Sequence, residues 1–217
     1  MTKVAHIIGN GDNAVMYKPS AGLKITCNLP PFAVDNVYTT CIVDFKMMMA
    51  IKEGSVVVPG DWVLGARPKK FMEMYPAFYM KHASQIKGFY VVLPKYATNY
   101  TNFNCGHMAT HYVANSLNCD EIHMYGFDSI FDMNLRSTTD LFMVSNREAF
   151  NNVRLSDNWR PVWQNMFKEF PQKQFVLYHK FLSTFIVIFN FVSGPVYLWV
   201  VVLIWKTMAS TITSKLI

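Results

Sequence analysis

The 217-residue chain is short of charge: 16% of its residues are Asp, Glu, Lys or Arg, against 52% hydrophobic. That balance excludes a disordered chain, which has too little apolar surface to fold. The four cysteines, Cys27, Cys41, Cys105 and Cys119, never fall in CxxC spacing, so neither a zinc finger nor a thioredoxin-type dithiol is encoded. Internal repeats and low-complexity stretches are missing too. Basic residues do not gather, and the longest run is Arg67-Pro-Lys-Lys70, which also reads as a solvated turn. The formal charge of +6 is therefore diffuse. It suits an anionic partner such as a nucleotide, a phosphate or an acidic membrane surface, and no specific nucleic acid. Met1-Thr-Lys leads into VAHIIG without an apolar leader, so a reducing cytosol with free thiols is expected around residues 1–180.

What the chain does have is a long uncharged stretch near its end. Phe181 to Trp205 is 25 residues without a charge, enough for a helix to cross a hydrocarbon core of about 30 Å. Tyr197, Trp199 and Trp205 lie toward one end, with Lys180 and Lys206 just outside, as interfacial anchors do. Asn190 and Ser193-Gly194-Pro195 interrupt it, so a kinked span or a shallow re-entrant hairpin both fit, and a buried core helix is the alternative. The expectation is a C-terminal hydrophobic helix at 181–205, a possible transmembrane tail. Residues 206–217 would form a short end, and the main domain would face the cytoplasm.

Before that segment, short runs rich in Val and Ile recur: Val4–Gly9, Leu23–Cys27, Thr40–Val43, Val56–Val58, Phe89–Leu93, Ile122–Phe127 and Phe175–Tyr178. Helical patterns fall between them at Phe45–Lys52, Arg67–Tyr75, Pro76–Gln85, His107–Leu117 and Trp159–Phe170. Alternation of this type predicts a three-layer α/β domain, Rossmann-like, with a mainly parallel sheet over residues 1–180. Ligands of such sheets lie beyond the carboxyl ends of the strands, which makes strand-end residues the candidates.

The first run ends in Gly9-Asn10-Gly11-Asp12-Asn13, whose glycines permit a tight turn and close backbone approach. Position 14 is Ala and no acidic residue closes the second run, so the dinucleotide fingerprint is not met. The second run closes instead on Asn28, which offers a donor and an acceptor to a nucleobase or ribose edge; an Asx turn before Pro30-Pro31 is the competing reading. The third ends at Asp44. Residues 60–103, with Trp62, Arg67, Lys69 and Lys70, read as core and lid packing, and Lys95–Phe103 as a polar aromatic loop able to cover a ligand.

The stretch from Asn104 to Asp128 packs a turn, a helix, a strand and an acidic loop into one unit. His107 and His111 stand four apart on its helix, which raises a metal site. Met108, Ala109, Tyr112, Val113 and Leu117 make the apolar face, however, so the histidines are expected to face solvent, with His107 still able to touch a ligand phosphate. No metal is assigned.

Taken together, Gly9-Asn10-Gly11, Cys27-Asn28, Cys105-Gly106 and the closing EIHMYGFD occur in an order that resembles the bacterial sialyltransferase-like glycosyltransferases and the related 6-hydroxymethylpterin diphosphokinase-like proteins. The likeness spans most of residues 1–180. It implies a nucleotide-sugar site formed by Asn10, Gly11, Asn28, Asp44, Asn104, Cys105 and Gly106, with the small-Gly pair at the phosphate; Gly9 of the same loop and His107 of the first helical turn complete the expected nucleotide-binding set. GNGDN stands for GNGPS, Asp44 for Asn, and Asn-Cys-Gly for Thr-Ser-Gly. Where those enzymes carry a catalytic His, this chain has Leu135-Arg136-Ser137, and Arg136 cannot act as a base at neutral pH. Arg136 would instead neutralise the departing phosphate, leaving Asp128, Asp132 or His179 as candidate bases. No cofactor is implied for a glycosyltransferase; magnesium enters only under the diphosphokinase alternative. A third alternative is a membrane-anchored nucleotide-binding module without turnover.

Overall fold

The structure is a computed structural model that describes residues 2–98, 102–130, 149–179, 185–190 and 200–203. Its centre is one nine-stranded sheet in the order β5-β4-β3-β2-β1-β6-β7-β8-β9. The strands are β1 (Val4–Ile8), β2 (Leu23–Cys27), β3 (Val37–Ile42), β4 (Asp61–Gly65), β5 (Ile86–Tyr90), β6 (Glu121–Tyr125), β7 (Gln174–His179), β8 (Phe185–Asn190) and β9 (Val200–Leu203). The first seven run parallel. Five helices connect them: α1 (Phe45–Lys52), α2 (Ala66–Met74), α3 (Pro76–His82), α4 (Cys105–His111) and α5 (Ala149–Glu169).

Both faces of the central strands are buried, which is why they read as continuous apolar runs. On one face, Ala5, Ile7, Ile122, Met124, Phe175 and Leu177 pack against Met108, Ala109, Trp163 and Phe167 of α4 and α5. On the other, Ile42, Trp62 and Leu64 pack against Met47 and Met48 of α1 and Phe71 of α2. Ile8 and Tyr125 are covered on that same side by a short turn at Asp12–Met16 and by Phe32 and Val34. The three-layer, mainly parallel architecture is as the alternation predicted.

Two expectations fail, and a third is displaced, the fifth strand being Ile86–Tyr90 where Phe89–Leu93 was expected. Val56–Val58 is not a strand; the fourth strand is Asp61–Gly65, DWVLG, whose charged first residue and terminal glycine hide a segment buried from Trp62 onward. The apolar segment after residue 180 is not helical where it is described. β8 pairs antiparallel with β7, as Tyr178↔Ile186 and Val176↔Ile188, and β9 pairs antiparallel with β8. No helix among the described residues is long and apolar enough to cross a membrane. The uncharged run 181–205 meets the length and apolarity of a span, and its pieces, such as FIVIFN, equally those of a fully buried strand. The two differ in period only over lengths that Asn190 and Ser193-Gly194-Pro195 interrupt.

Candidate functional site at the strand ends

Strands leave β1 in opposite directions, β2 to one side and β6 to the other, so the sheet's topological switch point lies between β1 and β6. Here the glycine loop meets its counterpart after β6. Gly9 N–H donates to Tyr125 O at 2.7 Å, and Gly11 N–H to Gly126 O at 3.1 Å. A Cβ on Gly9 would stand 2.8 Å from Gly126 O, and one on Gly11 2.5 Å from an Asp128 carboxylate oxygen. The close approach these glycines permit is thus to the chain's own loop after β6, its backbone at Gly126 and the Asp128 carboxylate. Gly126, at φ +74, completes the crossing.

Sealing the switch point divides the polar strand ends into two clusters. The first lies over β1, β6 and β7. Asn13 donates its side-chain amide to Asp128 Oδ1 at 2.5 Å and to His179 Nδ1 at 2.7 Å, and its backbone N–H to Asp128 Oδ2 at 3.2 Å. An amide nitrogen only donates, so His179 accepts at Nδ1, and in the neutral ring its proton sits on Nε2. All three side chains are buried. The clustering of Asn13 and His179 with Asp128 needs three strand ends far apart in sequence, and the run GNGDN holds the one local hint.

The second cluster lies over β1, β2, β3 and the start of α4. Asn10 donates its side-chain amide to Leu29 O. Asn28 sits at φ +53 and donates Nδ2 to Asp44 Oδ2 at 2.8 Å, so the Asx-turn reading gives way to a cross-strand pair. Its carbonyl oxygen Oδ1 is buried with no hydrogen-bond donor among the described residues. Cys41 O accepts both the Asn28 N–H at 2.8 Å and the Cys105 thiol at 2.9 Å, which ties α4 to the ends of β2 and β3. Burial pushes the Cys105 thiol well above its ordinary range, with Cys27 and Asp44 adding to the shift. It is therefore a protonated packing group and no nucleophile.

Asn104 and His107 cap α4 reciprocally. His107 N–H donates to Asn104 Oδ1 at 3.0 Å, and Asn104 N–H to His107 Nδ1 at 3.1 Å, a capping box with imidazole in the place of Glu. Gly106 lies under Phe127, whose ring would be 2.7 Å from a Cβ there.

The histidines overturn the expected helix face. His107 is fully buried, its ring 4.2 Å from that of Trp163, and His111 is buried with its ring 5.3 Å from Phe170. α5 covers the side of α4 that its own sequence marks as polar, and a single helix cannot reveal that. Burial pulls the His107 pKa down to about 3, so this residue does not titrate near neutrality. Of the remaining expected residues, Asp132 and Arg136 lie outside those described. His123 stacks on His6 at 4.8 Å and bonds Glu121 and Tyr178 at 2.7 and 2.9 Å, a polar row that sequence reasoning missed. No group of three or more His, Cys, Asp or Glu among the described residues could hold a metal ion.

The His107 shift has a consequence for stability. The unfolded chain takes up a proton below about 6.5, whereas the folded chain does so only near 3. The contribution is therefore complete above about 6.5 and is lost as pH falls toward 3, at up to about 1.4 kcal/mol per pH unit. His6 and His111 shift in the same direction, mainly through burial. Urea unfolding across this range should show stability falling with acid, and His107→Gln should flatten the slope; parallel slopes would contradict it.

No family model, curated protein or solved structure matches the chain.

Proposed function

We propose that the protein is a nucleotide-binding transferase, a glycosyltransferase using a nucleotide-sugar donor, with the donor seated on the cluster around Asn28. The observation that carries this reading is the Asn28 side chain. Buried polar atoms almost always have partners, and an acceptor left without one at a parallel-sheet strand end fits a ligand that brings the donor. An exocyclic amine or imide N–H of a nucleobase supplies such a donor, with Asp44 beside it as a second acceptor. The N–H groups that open α4 at Cys105 and Gly106 would face the phosphate, and Arg136 would neutralise it as the sugar leaves. The acceptor hydroxyl would attack the anomeric carbon while a carboxylate of the Asp128–Asp132 segment takes its proton.

Calorimetric titration of the full chain with CMP, UDP and GDP sugars tests the reading. One of them should bind. Asn28→Gly, which keeps the positive φ and removes the amide, should weaken that binding by about tenfold or more. Absence of binding to all three at millimolar level would end the proposal.

A second reading, a nucleotide-binding module without turnover, is favoured by one feature. The Asp128 carboxylate already accepts from the Asn13 backbone and side chain, an arrangement that suits architecture as well as proton transfer. Hydrolysis of the bound donor sugar favours the transferase; tight binding without hydrolysis favours the module.

A further inference from the structure

A second polar concavity lies apart from the strand ends, where the sheet finishes at β5. A cleft of about 620 Å³ opens between residues 89–96 and the helices on that side, α5 and the wider turn Tyr112–Ser116 that extends α4. Its apolar wall is formed by Leu93 and Pro94; Asn115, Asn165 and Glu169 face it, with Lys95 among the lining residues.

Glu169 is held at one of its two oxygens. Tyr96 donates its hydroxyl to Glu169 Oε2 at 2.6 Å, and His111 Nε2 lies 3.3 Å from the same oxygen. The other ring nitrogen of His111 is 2.6 Å from the Tyr90 hydroxyl. With the imidazole proton on Nε2, Nδ1 accepts from Tyr90, and every proton in the row has one destination. Two side chains thereby fix one oxygen of Glu169, one of them held in turn by Tyr90, while Oε1 takes part in none of these bonds and 40% of the side chain is exposed. A ligand acceptor is best held in this way, with its direction set by neighbours and its second lone-pair set open.

The remaining chemistry narrows the ligand. A cation would meet Lys95 and an anion would meet Glu169, so neither sign of net charge is favoured. Asn115 and Asn165 offer amides, and the Asn165 Nδ2 already donates to Pro161 O, which leaves its carbonyl as an acceptor. Hydroxyl groups, which both donate and accept, match such a mixed wall. Leu93 and Pro94, both partly exposed, give an apolar face for ring C–H groups.

We propose that this cleft binds a neutral carbohydrate, with Glu169 Oε1, Asn115 and Asn165 taking its hydroxyls and Leu93 and Pro94 its C–H face. It shares no residue with the strand-end clusters and does not depend on the nucleotide reading. The alternative is that the Tyr–His–Glu–Tyr row only ties residues 90–96 to the helices.

Amide-detected NMR titration of the full chain with methyl β-galactoside, methyl β-glucoside, methyl α-mannoside and N-acetylglucosamine separates the two, with choline and citrate as charged comparisons. A neutral glycoside should shift the amides of residues 89–96. Glu169→Gln and Asn115→Leu should each weaken it about tenfold or more. Asn115 is exposed and outside the hydrogen-bonded row, so Asn115→Leu should leave the melting temperature unchanged. The proposal is overturned if no neutral glycoside shifts those amides, if choline or citrate binds in preference, or if Asn115→Leu binds the glycoside as the wild type does.

Discussion

Gly9→Ala will melt well below the wild-type chain, although alanine is the smallest side chain that can be added. The backbone at Gly9 is not in the left-handed region, so the cost is one of space. A Cβ there would lie 2.8 Å from Gly126 O, 3.2 Å from Tyr125 O and 3.3 Å from Gly126 C, all backbone atoms that cannot rotate away. To admit it, the loop after β1 must separate from the loop after β6, which stretches the Gly9–Tyr125 bond and moves Asn13 from Asp128. Overpacking of this type costs roughly 1–3 kcal/mol, or more where the neighbours are fixed. A chain of this size loses about 2–4 °C of Tm per kcal/mol. Gly88→Ala is the control, since a Cβ at Gly88 meets nothing within 4 Å. Equal melting of the two variants would mean that the switch point is open and that the glycine loop is free to hold a ligand.

Removal of residues 181–217 should cost more still. If the apolar end were only an anchor, a chain ending at residue 180 would be a well-folded domain released from lipid. The pairing of β8 along β7 leads to another expectation. Without β8, the strand Gln174–His179 becomes an edge, and its Phe175, Val176 and Leu177 lie beside a row of unpaired N–H and C=O groups. Long apolar edges of this type pair with other chains. The truncated protein should aggregate on expression or lack a cooperative melt, judged by size-exclusion chromatography and circular dichroism. A soluble, cooperatively melting monomer would contradict the pairing and return the segment to the role of an anchor.

Much of this architecture could be read from local pattern. Leu23–Cys27 and Phe45–Lys52 coincide with β2 and α1 because each is a short apolar run bounded by turn or capping residues. The order of strand-end polar residues could be read as well, since position in a parallel sheet follows from the alternation alone. Partnership could not. Whether Asn28 faces Asp44, whether Gly11 faces a phosphate or Asp128, and whether His107 faces water or Trp163 depend on contacts between segments tens of residues apart. The helix α4 shows the limit most plainly. Its two faces are polar and apolar by composition, yet both are buried, because the imidazole of His107 serves as a helix cap and that of His111 bridges Tyr90 and Glu169. Histidine is polar enough to count as surface in a pattern and apolar enough to be core in a fold.

The central claim is that the cluster around Asn28 holds a nucleotide. The most direct test is to titrate isotopically labelled full-length protein with CMP, UDP and GDP and follow its amides, in the wild type and in Asn28→Gly. The account predicts saturable shifts at Asn28, Asp44 and residues 104–106 for one nucleotide, strongly reduced by Asn28→Gly. Shifts confined to other parts of the sheet, or none with any nucleotide, would contradict it.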